Sequence, residues 1–187
     1  VGDFFVSGKR LGRGDAILMS EDKNPNTLGV MQIAGTTPPR PFAELVKGIE
    51  SGAYKYVIAL GSDLEVDAAE AQAALAKLKG VVTIAAHDGP LAKAAHVALP
   101  ATAWAEADGT YVNRQGLAQR SERALLPRGD ARPAWELVAR LARALGYAMD
   151  WKKLADVQRA MAPEATARAA TSPEASEKAA EKPEISA

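Results

Sequence analysis

The chain has 187 residues, 48% of them hydrophobic, with 23 basic and 23 acidic side chains and no cysteine. That length suits one domain with an appendage, and the charge balance argues against nucleic acid or an anionic membrane as main partner. Without cysteine there is no disulfide, no thiol catalysis and no Cys-ligated iron–sulfur cluster; no run of 18 apolar residues is present to span a bilayer.

The chain opens at Val1 with a polar, Gly-rich stretch (Gly8, Gly12, Gly14), which reads as an arbitrary point of entry into a larger protein. No apolar segment of signal-peptide length follows, so a cytoplasmic location is the default expectation. Ala16–Met19 is a short apolar run, and Asn24-Pro25 marks a turn. Leu28–Gly35 is apolar but too short to type by periodicity. The prolines of Thr36–Pro41 make a rigid connector. Phe42, Leu45, Val46 and Ile49 fall at i, i+3, i+4, i+7, which predicts a helix ended by Gly52.

Tyr56–Leu60 is a continuous apolar run ending at Gly61, and it reads as a buried strand. Asp67 and Glu70 resemble a capping box opening a helix over 67–79, with Gly80 as its terminator. Val81–Ala86 reads as a second strand, Leu91–Ala95 as a short helix, and 96–99 as a third strand. Apolar strands alternating with helices predict an α/β fold with a parallel, doubly wound (Rossmann-like) sheet. Ligands on such sheets sit beyond the carboxyl ends of the strands, here Gly61-Ser62-Asp63, His87-Asp88 and Pro100 onward. Pro133–Gly146 predicts an amphipathic helix presenting Trp135, Val138, Leu141, Ala142 and Leu145 on one face. Glu136 and Arg140 pair behind it, and a further short helix spans 151–161. Ala, Pro and Glu dominate residues 163–187, with Ile185 the one large apolar side chain. We therefore read 1–162 as an α/β domain and 163–187 as a disordered tail.

The chemistry-bearing segment is LPATAWAEADGTYVNRQGLAQ, residues 99–119. Glu106 and Asp108 are a carboxylate pair, but acid–base work needs environments that drive their pKa values apart, and none is visible. Asp63 suits either a ribose or base contact or a turn cap. Asn113, Gln115 and Gln119 suit either buried loop backbone or the polar edge of a pterin or guanine. Two histidines, His87 and His96, advertise no metal site. Neither a G-x-G-x-x-G nor a G-x-x-x-x-G-K-[ST] motif occurs.

This segment resembles the L-P-x-x-x-W-x-E-x-x-G-T-[YF]-x-N-x-x-G-x-x-Q signature of the molybdopterin oxidoreductase superfamily. The resemblance extends over about residues 20 to 146. Within the superfamily, KNPNTLGVMQIAG and AWAEADGTYVNRQGLAQR look like the C-terminal part of the large iron–sulfur subunit of bacterial NADH–quinone oxidoreductase. That resemblance implies a structural segment with no catalytic or metal-binding residue and no cofactor of its own. It would pack on the remainder of a molybdopterin-like domain and on other peripheral-arm subunits, at the cytoplasmic face of the inner membrane and without inserting into it. The alternative it implies is a lobe holding molybdopterin guanine dinucleotide in a formate dehydrogenase-like enzyme. Positions matching the family's cofactor-facing residues are Gly61, Asp63, His87, Asp88, Gly109, Thr110 and Asn113. The family's Asn-Pro after the strand-end glycine is replaced by Ser62-Asp63, and its metal-ligating region lies outside the resemblance. A stand-alone nucleotide-binding module is the third reading. Against it, an open-edged sheet of three or four strands should expose apolar surface and seek a partner.

Overall fold

A computed structural model of the protein describes residues 5–6, 13–15, 24, 26–34, 39–61 and 68–160. The expectations for Ala16–Met19, Asp63, the Asp67 cap and the tail lie outside the described residues. Strand β1 (Phe5–Val6) pairs in parallel with β2 (Arg40–Pro41), and helix α1 (Thr27–Ala34) lies between them in sequence. Helix α2 (Phe42–Glu50) starts where Pro41 fixes the backbone, and its i, i+3, i+4, i+7 stripe of Phe42, Leu45, Val46 and Ile49 is buried.

Three parallel strands follow in sequence order: β3 (Tyr56–Leu60), β4 (Gly80–Ala85) and β5 (Val97–Pro100). They are joined by α3 (Ala68–Leu75) and α4 (Pro90–Ala94). The expected α/β fold with a parallel sheet is what the chain forms. Gly80, expected to end a helix, instead opens β4. Helix α3 stops at Leu75, and the amides of Lys79 and Gly80 donate to the Lys55 carbonyl (2.8 and 3.3 Å), which starts the β3–β4 ladder. At the other end Gly61 N–H donates to Ile84 O (3.0 Å). His96 splices β4 to β5: its amide donates to Val81 O (2.9 Å), and its Nδ1 accepts from Val81 N–H (3.1 Å).

The two faces of this sheet are covered unequally. On the first, Phe42, Leu45, Val46, Ile49, Ala74, Leu75, Leu78 and Leu91 close over Val81, with Val57 and Ala59 packed against them. Fully burying a side chain such as Val81 is worth about 1.5–3 kcal/mol relative to exposure. The second face carries Ile58, Leu60, Val82, Ile84, Val97 and Leu99, aligned by the register Ile58↔Val82↔Val97 and Leu60↔Ile84↔Leu99. There the chain returns beside β5 (Arg132 N–H to Pro100 O, 3.1 Å; Thr102 N–H to Arg132 O, 2.9 Å) and enters α5 (Ala134–Ala144), which packs on β4. Ile84, Leu137 and Ala139 are buried in that contact. The stripe expected to face the core is displaced. Trp135, Val138 and Leu141 are half-buried and Leu145 is exposed, because β4 covers one flank of α5 while the other meets Trp151 in an open cleft.

Helix α6 (Leu154–Ala160) is started by Asp156, whose Oδ2 accepts from the amides of Lys152 (2.8 Å) and Lys153 (3.0 Å) while Arg159 pairs with Oδ1. The Lys152 amide, then that of Lys153 and the Arg159 charge, hold this carboxyl below its ordinary range against the opposing effect of burial.

Thr83 is the one buried polar side chain of the core among the described residues. It is fully buried in β4, and its hydroxyl donates to Gly61 O (2.8 Å), pinning the turn that leaves β3. Thr83→Val keeps the shape and removes that bond, so urea unfolding should show a loss of about 1 kcal/mol.

Candidate functional site

Parallel register brings the carboxyl ends of β3 and β4 to one end of the sheet, and Gly61, His87 and Asp88 leave from there. Gly61 has φ +116°, a conformation L side chains rarely adopt, with open space where a Cβ would stand. Backbone geometry, and no crowding, therefore demands glycine at this position. His87 and Asp88 are exposed. Asp88 lies 4.0 Å from Lys93, with both side chains mostly in solvent (78% and 68%), an arrangement that contributes little to stability.

The segment 101–121 forms a short 3-10 turn (Trp104–Glu106) and then an antiparallel hairpin of β6 (Gly109–Val112) and β7 (Ala118–Ser121). Gly109, Thr110 and Asn113 belong to this hairpin, on elements separate from the strand-end group. Its polar residues are engaged with its own backbone. Glu106 Oε2 accepts from Ala103 N–H (3.0 Å), closing the 3-10 turn. Asp108 Oδ1 accepts from Arg123 N–H (3.0 Å), tying the hairpin base to the segment beyond it. Asn113 Oδ1 accepts from the amides of Gln115 (3.0 Å) and Leu117 (2.9 Å), and its Nδ2 donates to Gln115 Oε1 (3.2 Å). The Asn113 amide also donates to Leu117 O (3.0 Å), so one residue organises the whole turn. Gln119 is exposed on β7 opposite Tyr111. Trp104 stands 77% exposed at the start of the 3-10 turn.

A residue that sequence reasoning did not single out holds the hairpin in place. Asn26 extends its carboxamide along the edge of β6, accepting from Val112 N–H (2.8 Å) and donating to Thr110 O (3.3 Å), as a neighbouring strand would. Gly29 makes room for it: a Cβ there would meet Asn26 Oδ1 at 2.3 Å. The signal was the pairing of Asn26 with Gly29 one helical turn on, inside NPNTLG.

Two open clefts are lined by none of the six described positions among those expected. One of about 430 Å³ is lined by Trp135, Glu136, Arg140, Arg143, Trp151 and Lys152. Another of about 480 Å³ includes Arg40, Glu44, Lys47 and Tyr54. Their arginines are engaged: Arg140 with Glu136 (2.7 Å), Arg143 with the carbonyls of Met149 and Trp151, and Arg40 with Glu44 (2.8 Å). Among the described residues no three His, Asp or Glu side chains gather where a metal ion could sit, and no helix is long and apolar enough to cross a membrane.

The sequence profile of the molybdopterin oxidoreductase family matches residues 13–144. The chain belongs to the molybdopterin oxidoreductase family. Relatives within it include the NADPH-Fe(3+) oxidoreductase subunit alpha of Geobacter sulfurreducens, 34% identical over 101 residues, covering 52% of this chain and 12% of the relative. The F420-dependent formate dehydrogenase subunit alpha of Methanocaldococcus jannaschii is 32% identical over 141 residues, covering 73% of this chain and 19% of the relative. A nitrate reductase of Klebsiella oxytoca is 34% identical over 115 residues, covering 59% and 13%. The chain thus matches less than a fifth of the length of each of these relatives.

Asn26→Ala removes both bonds to the edge of β6 and strands a partly buried amide and carbonyl. The expected cost is about 1–3 kcal/mol in urea unfolding, with faster exchange of the Val112 amide.

Proposed function

We propose that the chain is a structural segment of a molybdopterin oxidoreductase-family subunit, specifically of the large iron–sulfur subunit of respiratory NADH–quinone oxidoreductase. On this reading it supports electron transfer from NADH to quinone without a redox centre of its own, and it packs on the remainder of the domain and on neighbouring peripheral-arm subunits. One observation supports the reading: the polar groups of the described hairpin are engaged largely within the chain, most of them with its backbone. Both functional ends of the Asn113 carboxamide are engaged in its turn, the Thr110 carbonyl is taken by Asn26, and Glu106 and Asp108 each accept a backbone amide. A group already satisfied this way gains little by turning to a ligand and would strand a backbone partner in doing so.

The same geometry tests molybdopterin guanine dinucleotide as an occupant. In the described hairpin Asn113 Oδ1 is engaged with two backbone amides, and Nδ2 gives one of its two N–H groups to the Gln115 side chain, which leaves a guanine edge at most one N–H of this carboxamide. At the strand ends, Gly61 gives its amide to Ile84 O and its carbonyl to Thr83. We derive no chemical step through that cofactor.

A second reading is favoured by the relatives, one of which is named as a formate dehydrogenase subunit and matches 73% of this chain. Here the chain is a cofactor-side lobe of a molybdopterin-dependent enzyme. Metal and pterin analysis of the assembled native protein separates the two. The structural reading expects molybdenum and tungsten far below one per chain, with the chain co-fractionating with NADH–quinone activity. Molybdenum or tungsten near one per chain, with matching pterin, would overturn it.

A further inference from the structure

Among the described residues, the second face of the parallel sheet is left partly bare. Tyr56 is 71% exposed, Ile58 54%, Leu60 67% and Val97 48%. The register places Ile58 and Val97 on either side of Val82, so these side chains form one surface. Tyr56 extends it: one edge of its ring approaches Gly80, with Cδ1 3.0 Å from where a Cβ would be. Helix α5 covers β4 at Ile84 but leaves β3 open. Strands of parallel sheets are ordinarily buried on both faces, and a contiguous exposed apolar patch of this kind marks an interface.

We propose that this face is the seat of an amphipathic α-helix contributed by the rest of a molybdopterin oxidoreductase-family polypeptide. The helix would lie along β3 on Tyr56, Ile58 and Leu60, reaching toward Val82, with carboxylates near its C-terminus. The inference rests on the partner proposed above and adds the surface it uses. Two observations select this occupant. The family relatives are five to eight times longer than the region they share with this chain, at 19% and 12% coverage, so polypeptide of the right kind is plentiful. Residues 161–187 offer only Met161 and Ile185 as large apolar side chains, too few to cover four exposed ones. Charge sets the direction. A helix packed on parallel strands runs back against them, which puts its C-terminal end over the start of β3 and β4. Lys55 and Lys79 are exposed there, joined through the Lys79 amide and the Lys55 carbonyl (2.8 Å), and a helix C-terminus favours cations.

The test is site-specific photocrosslinking in the native host, with p-benzoylphenylalanine placed at Ile58 and, as a control, at the exposed Gln72 of α3 on the sheet's other side. The proposal expects the Ile58 probe to crosslink a peptide of a molybdopterin oxidoreductase-family polypeptide and the Gln72 probe not to. Ile58→Lys should leave the urea midpoint of the isolated chain unchanged, because that side chain is exposed, while lowering recovery of the family polypeptide on the order of tenfold. If that polypeptide co-purifies but Ile58 does not reach it, the surface is wrong and the partner reading survives. If Ile58 crosslinks a protein outside the family, both fall. Crosslinking to a second copy of the chain, or to any other segment of the same chain, residues 7–23, 62–67 and 161–187 included, overturns the proposal, as does no crosslink at all.

Discussion

A parallel sheet is stable when something apolar lies on each of its faces, and this requirement organises the molecule. One face is closed by α2, α3 and α4 over Val81. Among the described elements the other receives α5, which packs on β4 and buries Leu137 and Ala139. Everything placed at the carboxyl end of the sheet depends on that sandwich, because Gly61, His87 and Asp88 are positioned only as well as β3 and β4 are. Thr83 links the two levels. It is buried in the central strand, yet its hydroxyl holds the carbonyl of the glycine that leaves the neighbouring strand.

The family's signature segment, placed beside this sheet, is an economical piece of backbone engineering. Polar residues at 106, 108 and 113 look like a cradle when read as a string. In three dimensions each satisfies amides that turns would otherwise leave unpaired. Asn26 adds a connection of long sequence separation by acting as a third strand for β6. These bonds give the motif a folding role of its own, beside any role it has toward a cofactor. That is why membership of the molybdopterin oxidoreductase family and a structural role are compatible.

Much of the fold was legible in the sequence. Strand β3 was bounded correctly by the apolar run ending at Gly61, and α2 by its spacing and the flanking Pro41 and Gly52, because local periodicity and backbone-breaking residues act there without competition. Strand β4 was legible through its β-branched run, with a one-residue offset where Gly80 joined the ladder. What failed did so for tertiary reasons. The face of α5 depended on which flank β4 would cover. The β6–β7 hairpin was missed because its turn is shaped by the Asn113 side chain and lacks a two-residue Asn-Gly signal. Asn26 was invisible because its partners lie far along the chain. At the site, the sequence left Asn113 open between ligand and backbone, and the geometry shows its Oδ1 accepting from the amides of Gln115 and Leu117. The strand-end residues it named are present at one end of the sheet, with Asp63 outside the described residues.

The claim that the hairpin is built by its own side chains is tested most directly by amide hydrogen exchange on the purified chain without any cofactor. The account predicts slowed exchange at Val112, Asn113 and Leu117, whose amides donate to Asn26 Oδ1, Leu117 O and Asn113 Oδ1. Exchange at the rate of an unstructured peptide, with protection appearing only on addition of a pterin cofactor, would contradict it.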